Sequence, residues 1–340
     1  MKILRSRFIR PLIVAVSYSR KPILKRRGLM SNSSTSSVVR FVLVIALVGA
    51  ISSVATDVAA QTNRTLYVSP TGGKGIPVTD LQPAEFEVKI GGKRVDVIDA
   101  GPARAPLRIA LLVSDAGTGG FQGGVASFIQ KLSGRAEIAL ISVLVQPETI
   151  VDYSSDLGVL RAGLRRIGPR GLQRGAQLLE TIQDATKHVR HEGRRPVIVV
   201  VRVGGEASTT LSGSTVRDQL RKSGAILYVV STVGAQRAAP SNAREGLSTE
   251  QAQLHDDEAV ESAHNLGVVL GDGSRESGGR HDQIISTTLI PTLDQLASEL
   301  LNQYELTCLL PAGLKATDKL SVSSKRKGLT IRAPARLPNY

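Results

Sequence analysis

Hydrophobic and polar positions change their period several times along the chain, and each change predicts an element. Between Thr65 and Gly101 apolar residues alternate with polar ones, so TLYVSP, AEFEVKI and KRVDVIDAG read as three half-buried strands. Gly91-Gly92 is the two-residue turn that joins the last two. Leu107 to Val113 is then dominated by apolar residues and stops at Ser114, Asp115, Ala116, Gly117, Thr118, Gly119 and Gly120. That is the pattern of a strand buried on both faces that runs into a loop. Val125, Phe128, Ile129 and Leu132 follow at i, i+3, i+4 and i+7 and predict a helix.

The same rhythm repeats. AEIALISVL (136–144) is a second strand, residues 155–167 a short basic helix, and 175–191 a longer helix that buries Leu178, Leu179, Ile182, Ala185 and Val189. PVIVVV (196–201) is the most buried strand. A helix over 212–224 has Ser212 as its cap and Gly224 as its stop, and AILYVVST (225–232) is a fourth strand. Strand, helix, strand at this spacing predicts an α/β fold with a doubly wound, mainly parallel sheet. Such folds bind ligands at the C-terminal ends of their strands, which makes the Gly-rich loop 114–124 the first candidate site.

Residues 234–282 break the rhythm with a Pro/Ser/Asn loop, an acidic helix from Thr249 to His264 and the turn GDGSRESGGRHD, and are expected to form a polar surface excursion. A helix returns at 289–302, and QYELTCLLP, KLSVSSK and GLTIRAP end the chain as strands. Neither end has enough strands for independent stability. The expectation is therefore an accessory β lobe built from both ends, with segments at 1–60, 61–104, 105–302 and 303–340.

Charge and composition change this picture mainly at the N-terminus. The formal charge is +14, but residues 1–60 contain ten Lys and Arg against one acid, Asp57. Arg40 precedes the apolar run FVLVIALVGAI, and small residues lead to Val58-Ala59-Ala60. This is the order of a secretory signal cleaved near Ala60, with Met30 as an alternative start; the other reading is an uncleaved anchor with an exported domain. The absence of Trp and an aromatic content of 3% predict an aliphatic core. They also speak against single-stranded nucleic acid as a partner, since no aromatic platforms accompany the basic residues. Cys308 is the single cysteine and sits in an apolar run, so a buried, inert thiol is expected.

The strand ending at Ser114, the opening VTDLQPAEFEVKIGGKRVDVIDAG (78–101), SGGR, QYELT…LP and the closing RAP together resemble the von Willebrand factor type A domain, in particular the exported acidobacterial VWFA-related proteins. The resemblance covers about residues 65–336 and implies a von Willebrand factor A-like, Rossmann-like core. In the metal-binding version of that family the first strand ends in Asp-x-Ser-x-Ser. The matching positions here are Ser114, Ala116 and Thr118, with Ala176 and Gly204 where two further loops would supply ligands. The resemblance thus implies a degenerate metal site, with no metal and no cofactor. Asp115 and Glu206 are the nearby carboxylates, each a residue or more out of place.

Two function classes follow. One is an exported, non-catalytic interaction module that recognises an unidentified protein or anionic envelope partner. It would use the loop edge (Asp115, Thr118, Glu206) or the basic stretch Arg161, Arg165, Arg166, Arg170 and Arg174. The other is an enzyme or a nucleotide- or anion-binding protein that uses the Gly-rich loop. That loop lacks the third glycine of a dinucleotide fingerprint, because Gln122 stands there. The run His255-Asp256-Asp257-Glu258 places its side chains in different directions on a helix and reads as a solvated acidic face. The sequence leaves the oligomeric state open.

Overall fold

The computed structural model describes residues 62–115, 117–143, 146–167, 176–190, 193–204, 207–233, 248–310 and 318–337. Every described residue belongs to one compact unit within Ala59–Tyr340. The basic N-terminal segment, the signal, Ala116, Arg170, Arg174 and Glu206 lie outside the described residues.

Alternation in the first mature stretch yields β1 (Thr62–Thr71), β2 (Phe86–Ile90) and β3 (Lys93–Pro102). Leu66, Val68, Phe86, Val88, Ile90 and Val95 turn inward and are buried. Gly91 and Gly92 both have positive φ (57° and 81°), the two-residue turn that matches the twist of a hairpin.

The next part of the chain alternates strand and helix. β4 (Leu107–Asp115) leads to α1 (Gln122–Leu132), β5 (Ala136–Ser142), β6 (Glu148–Ser154) and α2 (Leu157–Arg166). Then come β7 (Ala176–Gln177), α3 (Leu178–His188), β8 (Arg195–Val203), β9 (Ala207–Ser208), α4 (Gly213–Ser223) and β10 (Ile226–Thr232). α5 (Thr249–Gly267) continues through a π-helical turn, Val268–Gly273, and β11 (Arg280–Ile284) precedes α6 (Leu289–Leu301). β12 (Tyr304–Leu310), β13 (Leu320–Ser324) and β14 (Thr330–Arg332) complete the chain.

Six strands form the α/β sheet in the order β11-β10-β8-β4-β5-β6. All neighbours are parallel except β5 and β6. From β4 the chain first builds outward through β5 and β6, then returns to the other side for β8, β10 and β11. The switch point is therefore the crevice between β4 and β8. Both faces are covered, which is why β8 is buried at every position. Leu111, Val199 and Tyr228 point into the layer of α1, α2 and α6; Leu112, Val200 and Val229 point into that of α3, α4 and the π-helical turn. Each fully buried aliphatic side chain contributes about 1.5–3 kcal/mol.

A second six-stranded sheet has the order β13-β2-β3-β12-β1-β14. β12 pairs with β1 on one side and β3 on the other, all antiparallel, so strands from 62–102 and 304–332 share one sheet. Its outer strands, β13 and β14, come back against each other, which nearly closes the sheet.

Several sequence expectations change. β6 was not anticipated; it is an antiparallel edge strand whose Ile150 and Val151 face the core. Residues 234–282 are not wholly a surface excursion. Leu266, Val269 and Leu270 are buried and β11 extends the sheet, because the Gly-rich sequence there forms a close-packed turn and not an exposed loop. The helix expected from 175 starts at Leu178, after Ala176 and Gln177 pair with Ala207 and Ser208. Ser212 occupies the cap position of α4 without capping it: its Oγ lies 2.8 Å from Ser214 Oγ, and Asn265 Oδ1 accepts the Gly213 N–H at 2.9 Å.

Candidate functional site

The loop after β4 lies at the switch point, and strand alternation decides what its residues can reach. Ser114 follows Leu112 into the α3/α4 layer and is buried. Asp115 follows Val113 to the other side and enters the loop. Its Oδ1 accepts the Thr118 hydroxyl at 2.8 Å and its Oδ2 the Gly119 N–H at 2.8 Å. Thr118 Oγ1 also accepts the Gly120 N–H at 3.2 Å. A carboxylate bonded to donors a few residues ahead closes a turn on itself. Phe121, fully buried, then anchors the start of α1.

The neighbouring loops add little oxygen. Ala176 presents a buried methyl group. Gly204 ends β8 at φ 72°, a left-handed conformation that suits glycine and provides no ligand. A divalent cation needs several hard oxygen ligands, carboxylate among them. Of the described positions the resemblance points to, Ser114 is turned into the core, Ala176 and Gly204 have no donor, and Thr118 is bonded to Asp115. These residues do not fit a metal ion. Among the described residues no three His, Cys, Asp or Glu side chains come together.

A different polar group sits at this end of the sheet, one that the sequence reading missed. Arg202 pairs in register with Ser114 on one side and Ser231 on the other, so the three share a face. Both Arg202 and Ser231 are 4% exposed. Ser231 Oγ lies 2.7 Å from His281 Nε2. Burial pulls the His281 imidazole below its ordinary pKa; Arg202 acts in the same direction and Asp282 opposes them. The signal in the sequence was a charge at the end of PVIVVVRV, an apolar strand with no other reason to carry one. His281 gave less warning, since GGRHD reads as a turn. The Ser–His pair has the atoms of a nucleophile and its base. However, Asp282 is bound to Arg280 at 2.6 Å on the opposite face, and the Ser231 hydroxyl is closed to solvent. That arrangement holds the sheet edge and does not form a relay.

The rim of the edge is apolar. Val233 is 71% exposed, Ile285 61% and Ile290 49%. The Val233 N–H bonds to Ile284 O at 2.7 Å, which brings the ends of β10 and β11 together. A Cβ on Gly123 would stand 3.5 Å from Ile290, so α6 borders the start of α1.

The basic stretch is only partly visible. Arg161, Arg165 and Arg166 lie exposed on α2. Arg161 donates to Gln130, and Arg166 to the Ile150 carbonyl at 3.3 Å. On α5, Asp257 and Glu258 are exposed. Cys308 is fully buried, and burial raises its thiol to about 11.

No family model matches the chain, and no curated protein matches it. Solved structures to which it is similar include the conserved hypothetical protein BatB from Bacteroides thetaiotaomicron, at 13% identity over 57% of this chain and 98% of that one, TM-score 0.38. A von Willebrand factor type A protein from Catenulispora acidiphila is 8% identical over 79% of this chain and 72% of that one, TM-score 0.39. The von Willebrand factor domain of a type V pili tip protein from Porphyromonas gingivalis is 10% identical over 58% and 96%, TM-score 0.40.

Proposed function

We propose that this chain is an exported, non-catalytic interaction module with a von Willebrand factor A-like core, and that it recognises a protein partner without a metal ion. The observation that supports this reading is the switch-point edge. Its one described loop carboxylate, Asp115, has both oxygens bonded within the loop, while Val233, Ile285 and Ile290 stand exposed along the same edge. A loop closed on its own carboxylate and bordered by large apolar side chains suits a desolvated protein contact better than a charged substrate. Export is inferred from the sequence before Ala60. Among the described residues no helix is long and apolar enough to cross a membrane.

The test is an affinity capture of the full chain from envelope extract, with EDTA in one arm and Mg²⁺ in the other. The same partner is expected in both arms, and Ile285→Asp with Ile290→Asp is expected to abolish its capture. Both side chains are exposed, so the double variant should fold. Capture that requires Mg²⁺, or that survives the double variant undiminished, would refute the reading.

A further inference from the structure

Helix α5 is packed against the body over its second half only. Ser262 and Leu266 are buried where the helix leans on α4 and β9. Among the described side chains from Glu250 to Glu261 none is buried, and all but Asp256 are exposed. A capping box between Ser248 and Gln251 holds the first turn. The turns after it have no such help. Leu254 is 59% exposed and Val260 70%. Asp257 and Glu258 stand four and three residues before Glu261, spacings at which like charges destabilise a helix. A helical stretch this short is marginal in water without tertiary packing.

The helical period gathers these residues. Glu250, Leu254, Asp257, Glu258 and Glu261 stand at i, i+4, i+7, i+8 and i+11, on one face about 100° wide with Leu254 near its middle. Its complement is a basic surface with an apolar side chain in it, and the same chain has one. On α2, Arg161, Arg165 and Arg166 are exposed and Val159 is 47% exposed. Arg161 and Arg166 donate to neutral oxygens, those of Gln130 and the Ile150 carbonyl, and these contacts leave their charge in place. The two helices cannot meet within one copy. Leu160 and Leu164 seat α2 on one face of the α/β sheet, and Leu266 seats α5 on the other.

We propose that the acidic face of α5 in one copy of this chain docks on the basic face of α2 in a second copy. The contact would cover Leu254 with Val159 and set the carboxylates against guanidinium groups, which relieves the repulsion along α5. It joins two different surfaces, so each bound copy still offers one of each and association runs head to tail. Two short helix faces bury less than the roughly 1,200 Å² of a stable interface, so the contact is weak and depends on its charges.

The experiment is sedimentation equilibrium of the full chain, from about 5 to about 500 μM, in about 25 mM and about 500 mM NaCl. The average mass is expected to rise with concentration at low salt, and high salt is expected to weaken association about tenfold or more. Asp257→Lys with Glu261→Lys, and separately Arg161→Glu with Arg165→Glu, are each expected to weaken it by about tenfold or more. All four side chains are exposed, so both variants should fold. An equimolar mixture of the two variants is expected to associate again, because each reversed face then meets its opposite on the other variant. The proposal is overturned if the mass at low salt does not rise with concentration, or if salt leaves the rise unchanged. It is also overturned if either reversal alone leaves association intact, or if the mixture associates no more than its components do.

Discussion

Glu299 offers the sharpest test of how the two sheets are joined. It lies on α6, is 1% exposed, and its carboxylate accepts the Tyr228 hydroxyl at 3.2 Å, Arg332 Nη1 at 3.3 Å and Arg280 Nη1. The donors come from β10, β14 and β11, so a single carboxylate ties the parallel sheet to the antiparallel one. Glu299→Ala removes all three bonds. Removing one partner of a buried ion pair costs about 3–5 kcal/mol. Two features move the expectation to the lower end. Arg280 keeps Asp282 at 2.6 Å, and the Arg332 side chain is 24% exposed and keeps Thr71 Oγ1 at 3.4 Å. We expect a loss of about 3 kcal/mol for Glu299→Ala and about half of that for Glu299→Gln, which keeps an acceptor of the same shape. Urea unfolding followed by far-UV circular dichroism, with an unchanged m-value, is the measurement. A cycle with Arg332→Met should return a coupling of about 1 kcal/mol. A loss under about 1 kcal/mol for Glu299→Ala, or an equal loss for the glutamine variant, would refute the reasoning.

Three other outcomes are expected. Millimolar Mg²⁺ or Mn²⁺ should leave Tm unchanged, and Ser114→Asp should not create a response, because its carboxylate would face Arg202 and not the loop; a saturable isotherm abolished by Thr118→Ala would contradict this. His281 is held below its ordinary value of 6.5, so the unfolded chain binds the extra proton more readily. Stability should then fall as pH drops through 6.5 toward the lowered folded value, and His281→Gln should flatten that slope in Tm measured between about pH 7.5 and 5. Cys308, with its thiol raised to about 11, should resist a thiol reagent at pH 8 until the chain is unfolded; rapid labelling of the native chain would contradict its burial.

The buried strands were legible in the sequence because their apolar runs are long and uniform. Leu107–Val113 and PVIVVV became β4 and β8 with only end residues added. β6 was missed because ETIVDYS pairs on one edge only and shows too short an apolar run to stand out. β11 was missed because Arg280 satisfies both Asp282 and Glu299, which lets a strand contain charges that read as solvent-facing. At the site, that Ala176 and Gly204 offer no side-chain oxygen was plain from residue type. The closure of Asp115 on Thr118 and Gly119 was not, since it depends on the side to which the last strand residue turns. The Arg202–Ser231–His281 group was invisible for a related reason: its members come from three strands, and only the register brings them together.

The pairing of β1 also sets a schedule for how this protein comes into being. β2 and β3 can close their hairpin as soon as both have been made, but both neighbours of β1 lie beyond residue 303. Roughly 230 residues separate the end of β1 from the start of β12. At about 5–20 residues per second, synthesis leaves β1 without a strand partner for about 10–50 seconds. During that interval its free edge is open to other nascent chains, and a holding chaperone would have to shield it. A chain interrupted before Tyr304 leaves β1 without either of its strand partners, so the sheet that joins residues 62–102 to 304–332 is the last part of the fold to close.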